Sequence, residues 1–208
     1  MKISKIIFLF CIIGWGSLCA EDPLQKLMDG NTRYVNSETI CHTDWNVKRA
    51  ALVQKQNPFA VIICCSDSRV PPELIFDQAL GALFVVRIAG NVIDDLALGS
   101  VEYAVSNLKA SLIMVLGHSN CGALSAALTE TKFDNHIQDI MESLQPAVQA
   151  VKGESGDLLE KATKANVRFV ISQLKCARPI LAPLVLKDSL KIVGGFYKLD
   201  SGHVELVN

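Results

Sequence analysis

From residue 59 to 64 the chain runs Phe-Ala-Val-Ile-Ile-Cys without a polar break. A short, continuous apolar run rich in β-branched residues is the pattern of a strand buried on both faces, as in a parallel sheet. Further strands are predicted at 82–87, at 111–117, again continuously apolar, and at 190–196. Between them the period changes to that of helices. Ala97, Val101, Ala104, Val105 and Leu108 share one face of a helix running to about Leu108, with Asp94 or Asp95 as its cap. A short helix is expected at 123–129 and two longer ones at 134–150 and 157–176, separated by Gly153 and Gly156. Pro179 and Pro183 loosen the next connection. The turn Asp200-Ser201-Gly202 leads into a last strand at 203–207, so the closing pair reads as a hairpin.

Two helices precede the first strand. One covers 23–35, with Leu24, Leu27, Met28 and Tyr34 or Val35 on a stripe that Gly30 interrupts; the other covers 44–54, with Val47, Ala51 and Leu52 apolar. Lying outside the alternation, they are expected to pack elsewhere, on a partner subunit. The whole pattern is a single α/β domain with a mostly parallel central sheet, an antiparallel edge strand and flanking helices.

The first 20 residues stand apart. Lys2 and Lys5 precede an apolar run from Ile6 to Ile13; Gly14, Trp15, Gly16 and Ser17 follow, and the segment closes at Ala20 before the polar Glu21 and Asp22. This is the layout of a secretory signal peptide and is short for a membrane span. The alternatives are an uncleaved anchor and a lipoprotein at Cys19, the latter disfavoured by the bulk of Leu18. Residues 21–208 would then be the exported domain, periplasmic or secreted, with no stable membrane span after cleavage.

Net charge is −1 at pH 7, so no basic surface advertises nucleic acid. Of seven cysteines, Cys41, Cys64, Cys65, Cys121 and Cys176 lie past the leader. An odd number at irregular spacing does not make a disulfide framework. No Gly-rich phosphate fingerprint follows any strand.

Chemistry collects at strand ends. The first strand empties into Cys65-Ser-Asp67-Ser-Arg69, and the third into His118-Ser-Asn-Cys121. Open α/β sheets bind ligands just outside the carboxyl ends of their strands. If these two strands are close, Cys65, His118 and Cys121 converge there as a zinc donor set with a fourth position left open. A His-x-x-Cys pair alone is weak and reads better as a buried thiol beside a bonded imidazole; Cys65 at a second strand end reverses that balance. Successive strand residues face opposite ways, so only one of Cys64 and Cys65 can belong, and Cys64 reads better as core. Asp67 and Arg69 could be an exposed salt bridge of little worth, or a carboxylate clamped by arginine beside the metal's open position.

These residues resemble the signature of the β-class carbonic anhydrases: Cys65-Ser-Asp-Ser-Arg69, then His118-x-x-Cys121-Gly122. The likeness extends to Gly30-Asn31-x-Arg33-Tyr34, Val86-Arg87-x-Ala89-Gly90-Asn91, Glu102-Tyr103-Ala104-Val105 and the closing Gly194-x-x-Tyr197-x-Leu199-x-Ser201-Gly202. The resemblance implies Zn²⁺ on Cys65, His118 and Cys121, with Asp67 and Arg69 as catalytic dyad. It implies reversible hydration of carbon dioxide to bicarbonate and a proton through a zinc-bound hydroxide, and a homodimer or dimer of dimers with the site at the subunit interface. Gln56 matches a substrate-binding glutamine of the plant-like branch, and Phe84 and Tyr103 match pocket-lining positions. Taken alone, Gln56 reads as surface, and Phe84 and Tyr103 as core. Ile62 stands where a tryptophan marks an inhibitory bicarbonate site in another branch. The family also has a state in which the aspartate closes the site on the metal. His42, His136 and His203 are proton-shuttle candidates by residue type only. The rival readings are the same site acting on another small linear molecule such as CS₂, and a zinc or redox protein without hydratase activity.

Overall fold

A computed structural model describes residues 21–208; the leader reading of residues 1–20 lies outside them. The expected strands form one five-stranded sheet: β1 (Ala60–Cys64), β2 (Leu83–Arg87), β3 (Leu112–His118), β4 (Lys191–Tyr197) and β5 (Val204–Val207). The order is β2-β1-β3-β4-β5, with the first four strands parallel and β5 antiparallel on β4. Around it lie α1 (Pro23–Val35), α2 (Trp45–Ala51), α3 (Pro72–Ile75), α4 (Asp95–Asn107), α5 (Gly122–Leu128), α6 (Ile137–Ala150), α7 (Leu158–Cys176) and α8 (Leu181–Leu186). No helix among the described residues is long and apolar enough to cross a membrane.

The central strands are buried along their whole length because both faces are covered. Val61, Ile63, Ile113 and Val115 pack with Val101 and Val105 of α4 and with Val167, Val170 and Leu174 of α7. The alternate residues Ile62, Cys64, Met114 and Leu116 pack with Leu27, Ile75 and Phe76. Helix α7 lies unusually close to β3 and β4. A methyl group added at Gly117 would come 2.8 Å from side-chain carbons of Thr163 and Val167, and one at Gly194 would come 2.7 Å from Val167.

Two expectations change. The stripe of α1 already packs within its own chain: Leu27 is fully buried there, and Asn31 donates to the carbonyls of Ile75 (3.1 Å) and Gly202 (2.8 Å) and accepts from the Val204 N–H (2.9 Å). Only α2 buries none of its residues, leaving Trp45 and Val47 exposed. The connection expected to be loose around Pro183 contains α8. Its proline sits in the first turn, where an N–H has no helical partner to lose.

The segment joining α1 to α2 is held by Asp77. This buried carboxylate accepts from Arg33 Nε (2.6 Å), from the Cys41 N–H (3.0 Å) and from the Ile40 N–H (3.2 Å). Burial alone would raise its carboxyl; the Arg33 hydrogen bond and these two N–H groups outweigh it and hold it below its ordinary value.

Candidate metal centre

Strands β1 and β3 are neighbours, with Cys64 level with Leu116. Both therefore run out at the same sheet edge, and Cys65 and His118 emerge side by side. Asn120 then takes a left-handed conformation (φ 54°), which asparagine tolerates better than most residues, and Cys121 follows as the residue preceding α5. The two sulfurs and an imidazole nitrogen lie within 4.8 Å of one another, and all three residues are buried.

The imidazole is oriented for ligation. Its Nδ1 lies 2.9 Å from the Ser119 carbonyl, which can only accept, so Nδ1 carries the proton and Nε2 presents its lone pair. That Nε2 is buried and has no hydrogen-bond partner. The Cys65 thiol is held well below its ordinary value. The Cys121 thiol is the main cause; His118 and the Gly90 N–H (3.3 Å from the sulfur) add to it against the cost of burial. Cys121 is pushed up by the same partnership and by burial. Cys64 faces the other side of the sheet, where burial pushes its thiol up to about 12. It is core, as its position along the strand suggested.

Asp67 and Arg69 form the clamp. Asp67 Oδ1 accepts from the Arg69 N–H and from Nε, both at 2.9 Å, and Oδ2 accepts from Nη2 at 2.7 Å. These bonds hold the carboxyl below the usual carboxylate range. Oδ2 is also 4.0 Å from His118 Nε2, so the carboxylate borders the donor set while both its oxygens are held by Arg69.

Three further residues act here for which the sequence suggested no individual role. Arg87, at the end of β2, donates to the carbonyls of Cys65 (3.0 Å) and Asp67 (2.6 Å), bracing the loop that carries the thiol and the carboxylate. Gly90 supplies the N–H to Cys65. Asn166 of α7 donates to the Gly90 carbonyl at 2.8 Å. Cross-strand register puts Arg87 beside Cys64, a placement that no local pattern reveals.

The other expected residues lie elsewhere in the chain. Phe84 is level with Val61, four residues ahead of Cys65 and so roughly 13 Å back along the strand. It faces the half-exposed ring of Tyr103, with centroids 6.4 Å apart. Gln56 is exposed in the connection before β1, in a shallow cleft with Arg49, Leu52 and Leu80, at the end of the strand opposite the thiols.

Comparison with known proteins converges on one family. A family model described as carbonic anhydrase matches residues 60–204. A carbonic anhydrase of Mycolicibacterium smegmatis is 40% identical over 186 residues, covering 88% of this chain and 90% of that protein. Carbonic anhydrase 2 of Mycobacterium tuberculosis is 39% identical over the same shares. Among solved structures, the β-carbonic anhydrase CcaA superposes with a TM-score of 0.73 at 27% identity, covering 89% of this chain and 95% of that one.

Proposed function

The chain belongs to the β-class carbonic anhydrase family, and from that membership and the site geometry we propose that Cys65, His118 and Cys121 hold zinc for the reversible hydration of carbon dioxide to bicarbonate and a proton. The observation that carries the reading is a buried set of two sulfurs and one imidazole nitrogen within 4.8 Å, beside a carboxylate clamped by arginine.

The donor set fits the ion. Thiolate and imidazole are zinc's usual ligands, and three of them leave the fourth position open. The unpartnered His118 Nε2, in a buried position where an orphaned nitrogen is costly, is accounted for by a metal. When bound, the ion supplies the acidity that lets water act as a nucleophile, moderated here because two thiolates offset its double charge.

The protein's own groups do the rest. Held ionised by Arg69, Asp67 can only accept a hydrogen bond. With Oδ2 turned toward the donor set, it takes the proton of the attacking oxygen as a hydrogen bond and directs that oxygen's lone pair at the carbon. Arg69 keeps the carboxylate from rotating or taking up the proton itself. Arg87 holds the backbone of Cys65 and Asp67 in fixed relation, which preserves the short reach between ligand and acceptor.

The finer reading is a homodimer of the plant-like kind, either alone or paired into a dimer of dimers. Its support is α2, which buries nothing in its own chain, together with the exposed Trp45, Val47 and Val53. A second copy seated there would carry Gln56 toward a neighbouring site, with Phe84 and Tyr103 at the shared edge. The leader-like residues 1–20 support export to the periplasm or beyond, which fractionation of cells tests; full-length protein in the cytosol counts against it.

Metal content and stopped-flow carbon dioxide hydration, measured on one sample across pH, test the main reading. We expect about one zinc per chain, with activity rising on the alkaline side. One zinc per chain with no hydration at alkaline pH overturns it.

A further inference from the structure

The Gly90 N–H that reaches Cys65 Sγ at 3.3 Å belongs to a short turn, Ala89–Asn91, directly after β2. Gly90 has φ +70°, a conformation costly for any residue with a Cβ, and such a Cβ would also lie 3.1 Å from Leu144 and 3.3 Å from Ala123. Neither restraint fixes which way the next peptide points. That is done by Asn166, fully buried on α7, whose Nδ2 donates to the Gly90 carbonyl at 2.8 Å across 76 residues of sequence. Among the described residues the Asn166 Oδ1 has no partner, so the bond to the Gly90 carbonyl is the one its side chain makes.

We propose that Asn166 is a positioning residue for the metal centre: by holding the peptide that follows Gly90 it anchors the far side of the tight turn whose preceding peptide aims its N–H at the sulfur of Cys65. The inference rests on the reading of Cys65, His118 and Cys121 as metal ligands. An N–H donated to a ligating thiolate draws electron density from the sulfur. The Gly90 N–H would thereby preserve Lewis acidity in a bound ion that two thiolates would otherwise blunt. Groups that orient ligands from behind commonly change metal affinity or activity by about 10-fold to 100-fold when removed.

The test replaces zinc with cobalt(II) in the full-length protein and compares Asn166→Ala, Asn166→Asp and Thr163→Val. Thr163 is equally buried on the same helix, but its hydroxyl bonds to the Leu159 carbonyl within that helix. Two properties are read: the position of the sulfur-to-cobalt charge-transfer band and the rate of metal release to a chelator. Both Asn166 variants are expected to move the band to longer wavelength and to speed release by about 10-fold or more, with Thr163→Val changing neither. Asn166→Asp keeps the side-chain size, so the comparison stands even where truncation destabilises the fold. Folded Asn166 variants with wild-type band position and release rate overturn the proposal. A wild-type protein that binds no cobalt overturns the metal reading itself, and this proposal with it.

Discussion

Oδ2 of Asp67 lies 4.0 Å from Nε2 of His118, while Arg69 holds both oxygens of the same carboxylate. The carboxylate thus borders the donor set as an acceptor without joining it. Asp67→Asn keeps the shape and removes the charge. Hydration is expected to fall by about 100-fold, the order of the loss when a reacting group is no longer held in its productive orientation, with metal content unchanged. Full activity in this variant would remove Asp67 from the mechanism.

Adjacent cysteines should respond in opposite ways. Cys65→Ala removes a ligand and is expected to lose both metal and activity. Cys64→Ala removes a core thiol and should keep the metal at a cost of about 1 kcal/mol in unfolding free energy, roughly that of one buried methylene. Metal analysis and denaturant titration of the two variants check this. Metal loss from Cys64→Ala alone would mean that the strand presents its other face to the site.

Asp77 sets an acid limit on stability. Its folded value lies below its ordinary one, so the unfolded chain takes up the proton first as pH falls. The stabilisation is therefore complete above the unfolded value, about 3.9, and is lost as pH drops through the lower folded value. Asp77→Asn is expected to cost about 1–3 kcal/mol at pH 7, with the gap to wild type closing below about pH 4. Thermal melts of both proteins from pH 3 to 7 measure it; a gap independent of pH would assign the cost to packing.

The α2 face offers a test of assembly. Val47 and Val53 are 71% and 72% exposed in the single chain. Val47→Glu with Val53→Glu should leave the monomer folded, shift sedimentation to the monomer mass and lower activity. A double variant that still sediments as the wild-type oligomer would move the interface elsewhere.

Much of this was legible along the chain. β1 and β3 could be read because burial on both faces makes nearly every residue apolar, and the convergence of Cys65, His118 and Cys121 because the apolar run stops where the polar and thiol side chains begin. Cys64 could be separated from Cys65 by strand alternation alone. The four-residue α3 has too few turns to show a period, and α8 was hidden because Pro183 reads as a break unless its place in the first turn is known. The intrachain packing of α1 was not foreseen because sequence order does not say which side of the sheet a leading helix covers. Arg87 and Asn166 were beyond reach for a different reason. One depends on strand register and the other on the height of a helix above the sheet, and neither leaves a local trace.

That height has a consequence far from the thiols. Val167, next to Asn166, rests where Gly117 and Gly194 lack side chains. Two hydrogen atoms in place of methyl groups act as the shim that sets how deep α7 seats, and with it whether the Asn166 amide meets the Gly90 carbonyl. A methyl at Gly194, two strands away from the one that ends in Cys65, would crowd Val167 and so press on the helix that carries Asn166.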